Sequence, residues 1–268
     1  MKPLRQLLDR TAPLFERGGP VSWLGPLYEA ADTALYSPGH VTRTAPHVRD
    51  AVDVKRVMGI VVVALVPCMI MAVYNTGYQA QLAIAQGALP LDDWRMALYQ
   101  GIGLGFDYTN PFLCAIHGAL YFVPALVVAF VAGIGTEVVF AQVRGHEVNE
   151  GFFVTGALIP LILPPAIPLW QIAMGTIFGV VFAKEIFGGT GMNFLNPALV
   201  VRAFLFFAYP AYISGDEPWV AADFLGIDTF SGATWLAQAS TTPGVLEQAS
   251  WMQSFLGLMP GSMGETSA

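Results

Sequence analysis

Ser231 and Thr234 bracket two of the smallest side chains, Gly232 and Ala233, in the stretch Asp228-Thr229-Phe230-Ser231-Gly232-Ala233-Thr234. A hydroxyl with such neighbours is open to covalent modification, because a modifying enzyme can approach the backbone. Gly and Ser are equally at home in ordinary surface turns, and the letters alone do not choose between the two readings. The setting carries more information. From Ser214 to Ala268 there is no Lys or Arg, whereas Asp216, Glu217, Asp223, Asp228, Glu247 and Glu265 are all acidic. Such a segment belongs on the non-cytoplasmic side of a membrane.

Other side chains capable of chemistry lie inside apolar surroundings. Glu137 stands at the inner end of a long hydrophobic run, where a carboxylate is a functional candidate by default; snorkelling to the interface is the plain alternative. The amides of Asn193 and Asn196 offer both donors and acceptors to a ligand edge, or equally a helix cap before Pro197. Cys68 and Cys114 are far from any Cys-x-x-Cys or Cys/His pairing and read as apolar fillers. The Gly101, Gly103, Gly105 run lacks the spacing and preceding strand of a dinucleotide fingerprint and reads as flexible packing. Lys184 and Glu185 are adjacent and could pair, and Arg202 requires a partner.

The composition decides what must position these groups. Hydrophobic residues make up 55% of the 268 and charged ones 12%, about half the charge of a soluble domain. The class is all-α, a polytopic membrane protein. A net charge of −7 without clustered Lys and Arg excludes a nucleic-acid partner. All but Arg95, Arg144, Lys184 and Arg202 of the twelve basic residues lie in residues 1–56, which marks that arm as cytoplasmic. Leu4, Leu7, Leu8 and Phe15 suggest a short amphipathic helix there. Pro20, Pro26, Pro38 and Pro46 then imply an extended arm, with Trp23 and Tyr28 at interface depth.

About five spans are expected within the transmembrane domain, residues 57–213. The first is Val57 to Tyr74, close to the roughly 20 residues needed to cross. An outer connection from Asn75 to Asn110 follows, with Leu91, Trp94, Leu98 and Ile102 on one face of a surface helix. Pro111 to Ile134 returns, His117 within it, to a cytoplasmic loop from Gln142 to Glu150. Phe152 to Phe187 supplies two crossings, broken by Pro160, Pro164, Pro165 and Pro168. Broken backbone at membrane depth must be shielded by protein or line a cavity, a pattern of translocation and cofactor paths. Pro197 to Ile213 is the fifth span, which places residues 214–268 outside. Ser262-x-x-Glu265 has the form of a capping box, so another helix is expected to begin there and the sequence reads as the first half of a two-repeat fold.

The blocks His146-Glu147-Val148-Asn149-Glu150-Gly151-Phe152-Phe153-Val154-Thr155-Gly156, Gly188 to Pro197, Val200 to Pro210 and Pro260 to Ser267 resemble a family of redox-pump membrane subunits. That family includes the B component of the sodium-translocating NADH:quinone reductase and the D component of the Rnf electron-transport complex. The long N-terminal arm sides with the former. The resemblance implies a subunit of a translocating oxidoreductase in the bacterial inner membrane, within a six-subunit complex, which passes electrons to ubiquinone and couples this to Na+ export. It implies FMN on Thr234 through a phosphodiester, attached by a magnesium-dependent flavin transferase from FAD, with Ser231, Gly232, Ala233 and Asp228 as its motif. A non-covalent riboflavin is implied as well, for which Asn193, Asn196 and Thr155 are the candidates. The family's quinone pocket has a Gly-Gly-x-x-Glu run where this chain has Gly133, Ile134 and Glu137, and Phe204 and Phe206 match aromatic positions associated with quinone. A channel or transporter without a redox cofactor would explain the broken helices and glycines equally well.

Overall fold

The computed structural model describes residues 2–15, 19–25, 28, 32, 54–145, 148, 151–224, 232–241, 244–245 and 249–264. Asp228 and Ser231 of the hydroxyl motif, Glu265 of the capping box and much of the N-terminal arm lie outside these residues. The amphipathic helix is present as α1, Lys2–Phe15. Tyr28 packs onto it, stacking on Phe15 at 4.7 Å and donating its hydroxyl hydrogen to the Leu8 carbonyl at 2.7 Å.

The membrane part begins with α2, Val54–Ala85. It runs well past Tyr74, where the first span was expected to end. Hydropathy falls there because Asn75, Thr76, Gln79 and Gln81 enter, yet all four are buried in protein. The three amides are bonded internally: Asn75 Nδ2 donates to the Met259 carbonyl at 3.1 Å, and Gln79 Nε2 donates to Asn75 Oδ1 at 3.2 Å. Gln81 Nε2 donates to the Tyr99 hydroxyl at 3.1 Å. The short α3, Trp94–Gly101, carries the expected surface face, with Trp94, Leu98 and Ile102 exposed. A Cβ at Gly101 or Gly105 would meet open space, so close packing does not require glycine at either, while Gly103 takes a φ of +78° that favours glycine.

α4, Pro111–Arg144, opens on an Asn110 cap that accepts from Phe112 N. It too outruns its expected end at Ile134. It crosses α2 where small residues let the backbones touch: a Cβ on Gly77 would lie 1.8 Å from the Cys114 carbonyl oxygen, and one on Gly118 1.9 Å from that of Val73. His117 of this helix is fully buried among Tyr99, Phe106 and Tyr121, with ring centroids 5.1, 6.2 and 5.7 Å away.

The proline-rich region forms a hairpin of two helices, α5, Gly151–Ile162, and α6, Leu169–Ala183. The break falls at 163–168, while Pro160 stays within α5. A 12-residue helix is about 18 Å long, short of the roughly 30 Å hydrocarbon core. The orphan carbonyls at the end of α5 therefore need partners. Arg202 donates to the Ile162 oxygen at 2.7 Å, Met263 N to that of Leu163 at 3.1 Å and Gly264 N to that of Leu161 at 2.8 Å. Arg202 also reaches Ser262 Oγ at 3.3 Å, which answers its need for a partner. α7, Pro197–Ala208, ends before Ile213, in a 3-10 turn at Pro210–Tyr212. It packs on α6 through Gly175 and Gly179, which face Leu205 and Val201. Two short helices follow, α8, Trp235–Thr241, and α9, Trp251–Leu256.

Among the described residues, three segments, Arg56–Ala85, Pro111–Arg144 and Leu169–Phe187, are long and apolar enough to cross a membrane, and α5 and α7 are shorter apolar helices. The molecule is a polytopic helical membrane protein. Its core is built where α5, α6 and α7 meet α2 and α4, around Phe122, Ala129, Ile159, Ile172, Val201 and Leu205.

Candidate functional site

At one end of the bundle the chain after Ile213 folds onto the end of α2. Val220 and Ala222 cluster with Ala83 and Ala88, and Leu89 and Asp223 exchange backbone hydrogen bonds at 2.9 and 2.8 Å. The tip of the α5–α6 hairpin joins the same region through Ala166 N, which donates to the Pro218 carbonyl at 3.4 Å. Between these pieces lies a cleft of about 580 Å³, lined by Leu91, Ala166, Ala211, Tyr212, Glu217, Pro218, Ala222, Asp223 and Phe224.

The described part of the hydroxyl motif, Gly232 to Thr234, lies against the wall of that cleft through Gly232. A Cβ added to Gly232 would lie 2.5 Å from the Asp216 carbonyl oxygen and 2.9 Å from the Phe224 ring, so only glycine fits. Ala233 is buried beside it. Thr234 is half-buried at the start of α8, where its Oγ1 accepts from Ala237 N at a long 3.4 Å. Gln238 secures the same turn, its Nε2 donating to the Ala233 carbonyl at 2.8 Å and its backbone N to that of Thr234 at 3.0 Å. The hydroxyl is thus held on a short segment whose Gly232, two residues before Thr234, packs on Phe224 of the cleft wall.

Of the other sequence candidates, Gly133, Glu137, Thr155, Asn193 and Asn196 lie toward the opposite end, whereas Phe204 and Phe206 lie on the half of α7 that leads to Ala211 and Tyr212 of the cleft. Glu137 is buried and paired with the ammonium of Lys184, and the two side chains are 3% and 4% exposed. Lys184 therefore pairs across helices rather than with its neighbour Glu185. Glu185 meets Arg144, which donates to its carbonyl at 2.6 Å and lies 3.6 Å from its carboxylate. A lone carboxylate at this depth would be costly, so a second helix supplies its cation. Gly133 is one turn away, and the ring it admits is the protein's own. A Cβ there would lie 1.8 Å from Cζ of the buried Phe152.

Asn193 and Asn196 belong to the loop between the 3-10 turn Glu185–Phe187 and α7. Both amides serve local backbone: Asn193 Nδ2 donates to the Leu195 carbonyl at 2.9 Å, and Asn196 Oδ1 caps α7 by accepting from Ala198 N at 3.0 Å. Thr155 is half-buried within α5, its hydroxyl 3.5 Å from the Gly151 carbonyl. Phe204 stacks on Phe178 of α6 at 4.2 Å, while Phe206 is 46% exposed on the outer face of α7. Sequence reasoning did not find the cleft. Its wall comes from four separate stretches, of which only Leu91 and the acidic side chains Glu217 and Asp223 stood out in the sequence.

Comparison with known proteins bears on this arrangement. The model of the NQR2, RnfD, RnfE family matches residues 41–268. The B component of the Na(+)-translocating NADH-quinone reductase of Pseudomonas aeruginosa strain LESB58 is 53% identical over 98% of this chain and 66% of its own length. The protein of the same name from Azotobacter vinelandii is 52% identical over 98% of this chain and 66% of its own. That of Chromohalobacter salexigens is 50% identical over 98% and 64%. The chain thus spans slightly under two thirds of the length of these relatives. On a match this long at this identity, the chain belongs to the NQR2, RnfD, RnfE family.

Proposed function

We propose that this chain acts in a sodium-translocating NADH:ubiquinone reductase as its membrane subunit, carries FMN esterified to Thr234, and passes electrons toward ubiquinone. The observation that carries the reading is identity of 50–53% along 98% of the chain to proteins named as the B component of such a reductase. The retained Ser231-Gly232-Ala233-Thr234 run adds to it. The residues suit a flavin. Thr234 offers a hydroxyl on an ordered turn, Gly232 admits no side chain, and a cleft walled by Tyr212 and Phe224 adjoins it.

When bound, the flavin supplies reversible electron transfer. The chain's own residues anchor it at Thr234, on a turn held by Gln238. A riboflavin near Asn193, Asn196 and Thr155, and a quinone site at the inner end of α4 drawing on Gly133, Glu137, Phe204 and Phe206, belong to the same reading. There Phe152 covers Gly133 and must move for a flat ring to reach it, and Glu137 faces the Lys184 ammonium. The other subunits of the six-subunit complex and a flavin transferase are its partners, with the bacterial inner membrane as its site. Residues 1–56 face the cytoplasm and Thr234 the periplasm.

The test is direct. The protein, produced with a flavin transferase, acid-precipitated and run on a denaturing gel, gives a band that fluoresces under ultraviolet light. A dark band from folded, membrane-inserted protein favours instead a transporter without a redox cofactor.

A further inference from the structure

We infer that the cleft beside Gly232 is the seat of the isoalloxazine ring of the flavin carried on Thr234, and that Glu217 holds the potential of that ring down; the inference rests on the proposed flavinylation. A volume of about 580 Å³ lies within the roughly 300–1,000 Å³ range of small-molecule sites. The walls match a flat heterocycle. Tyr212 and Phe224 present aromatic rings, and Leu91, Ala211 and Pro218 complete an apolar lining. The anchor is adjacent, because Gly232 touches both Phe224 and the Asp216 carbonyl, and Thr234 follows two residues later.

The charge pattern explains why such a site needs a covalent tether. A free FMN is held largely through its phosphate, by cations or by backbone N–H groups. Among the described residues the cleft lining contains no Lys or Arg, and its two charged members, Glu217 and Asp223, are acidic. They repel a free phosphate. A tether turns ring docking into an intramolecular step with an effective concentration in the millimolar range, and an open cleft then suffices. The same carboxylates oppose the negative charge that a flavin gains on reduction, which lowers its midpoint potential.

The test uses the flavinylated chain, purified in detergent, and three variants: Ala211→Trp, which fills the cleft, Phe224→Ala, which removes a wall, and Glu217→Gln, which removes one charge. Fluorescence on a denaturing gel reports attachment. Iodide quenching of native flavin fluorescence and visible circular dichroism report seating, and a redox titration reports potential. We expect a fluorescent gel band throughout, severalfold stronger iodide quenching and loss of visible dichroism in Ala211→Trp and Phe224→Ala, and a higher midpoint potential in Glu217→Gln. A dark wild-type band defeats the flavinylation reading, and the seat falls with it. A fluorescent band with quenching and dichroism alike in wild type and Ala211→Trp defeats the seat alone. If Ala211→Trp blocks attachment, the charge variant decides: an unchanged midpoint potential in Glu217→Gln overturns the inference.

Discussion

The Thr234 side chain separates two requirements that the hydroxyl motif could impose, chemistry and shape. Thr234→Val keeps the β-branched outline and removes only the oxygen, whose one visible duty is a 3.4 Å contact with Ala237 N. Loss of so weak a bond costs on the order of 1 kcal/mol or less, so the variant folds and inserts normally. It is expected to abolish gel fluorescence, whereas Ser231→Ala retains it, because Ser231 is not the esterified position. A fluorescent Thr234→Val band would move the attachment elsewhere. The hydroxyls of this site were legible in the sequence. The need for glycine at 232 was not, since it comes from Asp216 and Phe224, which only the fold brings beside it.

Among the elements, α5 to α7 illustrate what hydropathy can and cannot reveal. The proline cluster correctly announces a broken helix. The partners of its orphan carbonyls, Arg202 and the backbone of Met263 and Gly264, are tertiary and carry no local sign. Hydropathy also ended α2 and α4 too early, because it registers polarity and cannot tell an amide facing water from one shielded by protein. The same blindness hid the partner of Glu137. Removing one member of the Glu137–Lys184 pair strands a buried charge, at a cost of about 3–5 kcal/mol. Glu137→Leu and Lys184→Met each therefore lower the thermal midpoint in detergent sharply, and the double variant recovers most of the loss. Additive losses would mean that the two groups are not coupled. The neighbouring Gly133–Phe152 contact makes a functional prediction. Phe152→Ala uncovers Gly133 and is expected to change the quinone KM or inhibitor response while flavin remains on Thr234. Unchanged quinone kinetics in the assembled complex would shift attention to Phe204 and Phe206.

On the scale of the whole molecule, two ends with different chemistry emerge. At one, Glu137, Arg144, Lys184 and Glu185 knit α4 to the end of α6. At the other, the acidic segment after Ile213 packs on Ala83, Ala88 and the hairpin tip, and Thr234 sits beside it. If the first end faces the cytoplasm, the second lies in the periplasm, as the missing positive charge after Ser214 independently implies. Leu236, two residues from Thr234 and 80% exposed, is the residue with which to test this orientation. With the native thiols removed as Cys68→Ala and Cys114→Ser, a Leu236→Cys variant is expected to react in intact cells with a thiol reagent that cannot cross the inner membrane. A cysteine at Arg5, 45% exposed on α1, is expected to react only after the membrane is opened. Labelling of both positions from one side would require an even number of crossings between them. A re-entrant α5–α6 hairpin would not supply that, because it removes two crossings from five and leaves three, so one of α2, α4 or α7 would have to fall short of crossing. Labelling from opposite sides requires an odd number, five if the α5–α6 hairpin spans and three if it re-enters, and the partnered carbonyls of Leu161, Ile162 and Leu163 allow its non-helical tip to lie at membrane depth in either case.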